Sequence, residues 1–439
     1  MLINGLPVEI LGIIFELFVP SPDCWIDPTT YLVLLCSVCR LWRQVALQNP
    51  LLWTALHLPM SEAAFQWTEC ILPRSRSAPL HIFVVPKYHE PKSPAGTTIK
   101  EWSSRFLKLI EGHSQRWRTV EVDVPEAAID LTPIWKGQAP MLQKLVIDTL
   151  PLSRDSRNTA PVLPANNHLA LLDLSGFPVR WDQWNCTSIT NLELGFFTAR
   201  EPGPNPIELC NILSLLSTQL RELSILGKWQ PISDHVSNST PILLESLESF
   251  TTSRWEWPVQ EVLLNCSFPV LEHFDTKLPL GNLSIRLLSR LSMEPALLQS
   301  VKRLSVKDIE DELEVSMEEI QLVFPQASHV QFGYGIDLEI LDHSSSCFLS
   351  NWACMDQLDI YEASLAEIRQ ILAKRYEKYP TPLLELKLNR ALGPIHRADY
   401  EWVISRVKCL TIEQVVITCN GISESLPFEN IYIIPQGVV

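Results

Sequence analysis

The chain has 439 residues, 46% of them apolar, and a formal net charge of −15 from 35 Lys and Arg against 50 Asp and Glu. That length and apolar content supply two or three cores or one long repeat array, and exclude a disordered chain. No stripe of Lys and Arg interleaved with aromatics offers the counterion release that a nucleic-acid backbone rewards, so nucleic acid is not an expected partner. The apolar start MLINGLPVEILGIIFELFVP lacks a basic leader and carries Glu9 and Glu16, which a secretory signal would not tolerate. No later apolar run is long enough for a bilayer, so the expectation is a protein of the cytoplasm, the nucleus or both, with no membrane partner. Eleven cysteines at irregular spacings, several inside apolar patterns, read as small hydrophobes and not as a disulfide framework.

Leu6-Pro7-Val8-Glu9 has the form of a helix start, because proline in the first turn loses no intrahelical bond and Glu9 meets the positive end of the dipole. Ile10, Ile13, Ile14, Leu17 and Phe18 follow at helical spacing, and Pro20 and Pro22 end the helix. Asp27-Pro28-Thr29-Thr30 then caps a second apolar run from Tyr31. In that run Leu35, Cys39, Trp42 and Ala46 form one stripe and Leu34, Val38, Leu41 and Val45 another, which leaves only Ser37, Arg40, Gln44 and Gln48 polar. A helix so widely apolar needs cover on two sides, and a segment below about 60 residues cannot bury much surface alone. Asn49-Pro50 ends the run, and Leu52-Trp53 is placed to fold back as an anchor.

Three blocks, Leu6-Pro-Val-Glu-Ile-Leu-Gly-Ile-Ile-Phe15, Val38-Cys-Arg-Leu-Trp-Arg43 and Pro50-Leu-Leu-Trp53, resemble the F-box in residues, order and spacing. The resemblance extends over residues 4 to 58, and it departs from the family at Val19 to Ile26, a longer connection than usual. It implies a small helical module that docks on the Skp-type adaptor of a cullin-based ubiquitin ligase. By the same resemblance Leu6, Pro7, Ile10, Leu11, Ile14, Val38, Trp42 and Trp53 shape or line that interface.

Residues 59–115 read as a transition into the rest of the chain, with a helix near Glu62 to Leu72, a strand at Leu80 to Val85 and a hinge at PKYHEPKSPAGTT. Beyond it one unit recurs: an apolar residue, two positions, an apolar residue, one position and an apolar residue. Leu142/Leu145/Ile147, Leu169/Leu172/Leu174, Ile189/Leu192/Leu194, Leu220/Leu223/Ile225, Val301/Leu304/Val306, Met355/Leu358/Ile360, Leu383/Leu386/Leu388 and Val407/Leu410/Ile412 are clear copies. Weaker ones centre on Val120, Phe250, Phe274 and Val330. Successive middle residues stand 20 to 31 positions apart, which brackets the leucine-rich-repeat period of about 20–29. The asparagine or cysteine ladder position is mostly absent, so the region is similar to the irregular arrays found behind F-boxes in fungal-type F-box and leucine-rich-repeat proteins.

The expected fold is therefore α+β: a small N-terminal helical F-box-like module (1–58), the transition (59–115), an irregular α/β leucine-rich-repeat solenoid (116–425) and a tail (426–439). An α/β sheet of another topology is the alternative. Cys36-Ser-Val-Cys39 lacks two further zinc ligands, His89-Glu90 lacks a second histidine one turn on, and Gly333-Tyr-Gly335 lacks the third glycine of a dinucleotide loop. No enzyme and no cofactor are expected. Outward positions flanking the inward pairs would form a protein-substrate face, acidic at one end (Glu121, Asp123, Asp148, Asp173, Glu193 and Glu222, against Lys144) and more basic further along (Lys277, Arg303 and Lys307, with Asp275). Trp181, Trp184, Trp229, Trp255 and Trp257 are candidate anchors on one rim. The competing reading is a leucine-rich-repeat scaffold whose helical N-terminus only caps the array.

Overall fold

A computed structural model describes residues 6–17, 28–58, 61–84, 99–123, 131–148, 160–163, 165–177, 179–196, 203–227, 241–253, 257–277, 298–307, 324–333, 352–392, 395–419 and 422–427. The chain divides into two compact units, one formed by Met1–Gly195 with Arg200–Gly203 and the other by Phe196–Ala199 with Pro204–Val439.

The first unit opens with three helices, α1 (Val8–Leu17), α2 (Pro28–Val38) and α3 (Arg40–Gln48), and a 3-10 turn at Pro50–Trp53. The helical run expected from Tyr31 to Gln48 is broken at Cys39, whose backbone is fully extended and whose Sγ accepts the first-turn N–H of Trp42. A short side chain that accepts a backbone N–H is what an N-cap requires, and here it ends one helix and starts the next. The break cuts each apolar stripe in two, and Leu32 and Leu35 of α2 and Val45 and Ala46 of α3 are buried with Leu11 and Phe15 of α1. Phe15 and Trp42 meet at 4.9 Å between ring centroids, and Tyr31 Oη donates to the Phe15 carbonyl at 3.0 Å.

After the turn come β1 (Ala55–His57), α4 (Glu62–Arg74), β2 (Leu80–Val84), α5 (Ile99–Glu111), β3 (Trp117–Asp123), α6 (Thr132–Trp135), β4 (Lys144–Asp148), β5 (Leu171–Ser175) and β6 (Asn191–Phe196). The pairings between neighbours from β1 to β6 are parallel, and the middle apolar residues stand in one row, Leu56, Ile82, Val120, Leu145, Leu172 and Leu192. All six are buried. The row begins two strands before the copies read from the sequence. Trp53/Leu56/Leu58 is itself a copy, hidden inside the F-box resemblance, while Pro79 holds the first position before Ile82 and Val84.

The second unit contains α7 (Pro206–Leu216), β7 (Glu222–Gly227), β8 (Ile242–Leu243), β9 (Ser249–Thr252), α8 (Trp257–Asn265), β10 (Cys266–Ser267), β11 (His273–Lys277), β12 (Arg303–Lys307), β13 (His329–Phe332), β14 (Gln357–Ala363), α9 (Leu365–Lys378), β15 (Leu383–Leu392), α10 (Arg397–Ile404), β16 (Val407–Cys419) and β17 (Ile422–Pro427). Leu223, Phe250, Phe274, Leu304, Val330, Leu358, Leu386 and Leu410 form the buried row of a parallel sheet, which β17 closes as an antiparallel edge. Strand alternation sends these residues to one face and the polar residues between them to the other.

Main-chain geometry repeats as regularly as the apolar row. At eight copies the carbonyl two residues before the middle position accepts two successive N–H groups at the start of the next strand, as Glu248 does from Glu272 and His273, and Lys302 does from Ser328 and His329. The same holds at Gln143, Ala170, Arg221, Glu272, Ser328 and Asp356. Backbone donors entering these strands are satisfied this way without a repeated asparagine side chain.

Helix α9 is held by a capping box: Ser364 Oγ accepts the Glu367 N–H at 3.2 Å, and Glu367 Oε2 accepts the Ser364 N–H at 2.7 Å. Ser364→Ala is expected to cost about 1 kcal/mol, the usual worth of such a cap. Urea unfolding of the full chain, followed by exchange of the α9 amides, measures it, and an unchanged exchange rate counts against the cap.

Candidate docking surface and strand face

Two surfaces stand out, one on the helices and one on the strands. On the helices, apolar side chains are divided between core and solvent in a way that a self-contained helical bundle does not need. Leu11 and Phe15 of α1 point inward, whereas Val8, Ile10, Ile13 and Leu17 point out. Helix α2 exposes Val33, Leu34 and Val38, and Leu47 and Leu51 are exposed beyond it. These nine residues, 39–78% exposed, make up more than half of the sixteen exposed large apolar side chains among the described residues, within residues 8–51. Exposed apolar surface concentrated in this way marks a contact site.

The residues carried over from the F-box fall into three groups. Pro7, Ile10 and Val38 are exposed; Leu6, Ile14 and Trp42 are half-buried; Leu11 and Trp53 are 0% and 1% exposed, so they shape the surface from beneath. Trp53 is fixed by its indole N–H, which donates to the Ala46 carbonyl at 2.8 Å, and by the Arg74 guanidinium lying 4.7 Å above its ring. Asn49 ties the module together, its Nδ2 donating to Glu16 Oε1 at 2.6 Å and its Oδ1 accepting the Leu51 N–H at 3.1 Å. Val8, Ile13, Leu17, Val33, Leu34, Leu47 and Leu51 were not singled out by the sequence motif. The helical period gives part of the signal, since 10, 13 and 17 share a face that excludes 11 and 15.

On the polar face of the first sheet, strand register brings five of the expected acidic residues together. Asp123 stands beside Asp148 and Asp173 beside Glu193, while Lys144 Nζ is 2.8 Å from Glu121. Burial, and then the charge of Glu193, pushes the Asp173 carboxyl up to about 7, against the hydroxyl of Ser175, which donates to it at 3.1 Å. Burial and the neighbouring Asp123 raise Asp148, and burial and Asp148 raise Glu193. One lysine therefore serves a crowded carboxylate group, and proton uptake supplies the remaining relief.

In the second unit Glu222 is exposed on β7. Arg303 is engaged in a chain of hydrogen bonds: its Nε donates to His329 Nδ1 at 3.2 Å, and His329 Nε2 is 3.0 Å from Asp359 Oδ2. Because a guanidinium only donates, Nδ1 must accept, so the His329 proton sits on Nε2 and points at Asp359. Lys387 pairs with Glu413 at 2.7 Å. His329, Asp359 and Lys387 occupy outward positions of their copies, the same signal that singled out Arg303. Lys277 and Lys307 pair in register on β11 and β12, but their side chains lie outside the described residues.

The expected tryptophan rim is corrected at two positions. Trp181 and Trp184 are buried and stacked on each other at 6.0 Å, with Trp184 Nε1 donating to the Cys186 carbonyl, so they are core. Trp229, Trp255 and the side chain of Trp257 lie outside the described residues, as does the hinge segment. Cys36 and Cys39 are free thiols, no group of His, Cys, Asp or Glu among the described residues is arranged to hold a metal ion, and no described helix is long and apolar enough to cross a membrane.

Three short helices with an outward apolar face, closed by a buried tryptophan, define a small docking module. Residues 3–59 match the family model described as F-box-like, a span that takes in α1, α2, α3, the 3-10 turn and β1. No curated protein matches the chain. The N-terminal domain is thus F-box-like, and F-box domains typically bind Skp-type adaptors.

Proposed function

We propose that this protein is a substrate-recognition adaptor of a Skp–cullin–F-box ubiquitin ligase, acting in the cytoplasm, the nucleus or both. The observation that carries the reading is the exposed apolar cluster of α1 and α2 on the F-box-like domain. The parallel sheets behind it are read as an irregular leucine-rich-repeat array whose polar strand face, with Glu121, Asp123, Asp148, Asp173 and Glu193 in one unit and Glu222 and Arg303 in the other, holds a protein substrate. Such an adaptor needs no catalytic residue and no cofactor, because holding the substrate near the transfer machinery is its contribution.

A second reading is favoured by a different observation. Trp53, Leu56 and Leu58 form the first copy of the apolar row, on the edge strand β1 that follows directly on the helices, which is where the cap of a non-ligase scaffold would stand. A cap alone leaves the outward Ile10 and Val38 without a purpose. The two readings separate on one experiment: the full chain carrying both Ile10→Glu and Val38→Glu is expected to lose more than tenfold in capture of a purified Skp-type adaptor, with an unchanged melting temperature. Equal capture by the two chains, or none by either, would leave the cap.

A further inference from the structure

On the polar strand face of the second unit, register sets Arg303 of β12 between His273 of β11 and His329 of β13, and Ser305 between Asp275 and Gln331. Arg303 is exposed, whereas the groups that hold it are largely covered: the side chains of His329 and Asp359 keep 15% and 19% of their surface. Asp359 Oδ2 accepts from His329 Nε2 at 3.0 Å, which fixes the tautomer in which Nδ1 accepts from Arg303 Nε at 3.2 Å. The two terminal nitrogens of the guanidinium are thereby held in place, and among the described residues they have no partner. Nearby cations are matched instead: Lys302 pairs with Glu272, Lys387 with Glu413 and Arg390 with Glu362. Ser305, the next outward position along β12, is 6% exposed, and its buried hydroxyl has no partner, so a second unmatched donor stands beside the arginine. An arginine held through Nε by a neutral acceptor keeps its charge uncompensated, and its free edge matches a carboxylate in two contacts. Asp275 and Asp359 on the flanking strands disfavour a doubly charged group, so a monoanion fits this place better than a phosphate does.

We propose that Arg303 is a specificity-determining residue of this strand face and receives an Asp or Glu side chain of the bound protein, with His329 and Asp359 as its positioning residues. The inference rests on the reading of the face as a substrate surface and narrows it: the segment that crosses β12 carries a carboxylate. The guanidinium fork closes on that carboxylate in two parallel contacts, while His329 keeps the fork from turning away. None of these residues lies in the span that matches the F-box-like model.

The test reads the Nε–H signal of Arg303 by NMR in the full chain with isotope-labelled arginine, the signal being identified by its absence from Arg303→Lys. N-acetyl-aspartate methylamide is expected to shift it at least about fivefold more than the neutral asparagine analogue does, and more than inorganic phosphate at equal concentration. His329→Ala should cut the response to the aspartate probe about threefold or more. His329→Asn, whose Oδ1 can still accept the Nε–H, should restore most of it at an equal melting temperature, a difference that a merely structural role would not produce. The chain carrying Ile10→Glu and Val38→Glu should respond as the parent does, so a failure of adaptor docking and a failure of this site are read separately. Equal shifts from the aspartate and asparagine probes, a larger shift from phosphate, or a His329→Ala chain that responds as well as the parent would overturn the proposal.

Discussion

Trp53→Ala is expected to destabilise the first unit by about 3–5 kcal/mol, the range for removing a large aromatic from a packed core. The side chain is 1% exposed, and its loss does three things at once. It opens a cavity between α3 and α4, leaves the Ala46 carbonyl without the donor that now reaches it at 2.8 Å, and removes the ring beneath the Arg74 guanidinium. The last two are smaller, about 1 kcal/mol each. Trp53→Phe should therefore recover more than half of the loss, since it restores most of the volume but not the indole N–H. Urea unfolding of the full chain with hydrogen exchange at Leu56 and Ile82 measures both variants. An alanine variant that loses less than about 1 kcal/mol would mean that the tryptophan is not the joint between helices and ladder.

The second large effect is on pH dependence. Asp173 has an ordinary value of 3.8 when unfolded and about 7 in the folded unit, so the folded chain keeps a proton that the unfolded chain gives up between those values. Stability from this group thus falls as pH rises from about 4 through 7 and stays at its lowest above 7, where the buried carboxylate is charged beside Glu193. The full difference corresponds to at most about 4 kcal/mol, and sharing of the proton with the neighbouring Glu193 leaves about 2 kcal/mol of it at this site. Asp173→Asn should stabilise the first unit by roughly that amount at pH 8 and leave it unchanged at pH 4. A stabilisation of equal size at both pH values would assign the effect to packing instead of charge.

Legibility from the sequence followed the physical nature of each signal. All twelve copies read from the chain are strands, and the weak ones centred on Phe250, Phe274 and Val330 pair in register with the strong ones. Burial of the middle residue is enforced at every copy of the row, so its apolar identity leaves a trace even where the flanking positions drift. The break at Cys39 left no comparable trace, because a cysteine in an apolar run reads as one more hydrophobe and its capping role depends on where Sγ lies relative to the Trp42 N–H. Trp181 and Trp184 failed as rim anchors for a related reason: stacking of two residues three apart is invisible to a pattern that knows only strand positions. At the docking module the motif identified the helices but not which of their apolar faces looks outward. Leu11 and Ile10 are adjacent in the motif and opposite in exposure, and only the packing of α1 against α3 decides between them. On the strand face, alternation placed Asp173 and Glu193 on the polar side, whereas their side-by-side crowding needed the register.

The continuity of Trp53 with the row that begins at Leu56 has a mechanical consequence. A module joined to its strands by a flexible tether samples many orientations, and anything it carries is presented at an average concentration set by the tether. Here the turn that ends the helices is also the first step of the ladder, so within the first unit the helices and β1–β6 behave as one bracket with a fixed angle. A small repacking at Trp53 would then swing the polar strand face through space without touching a single residue on it.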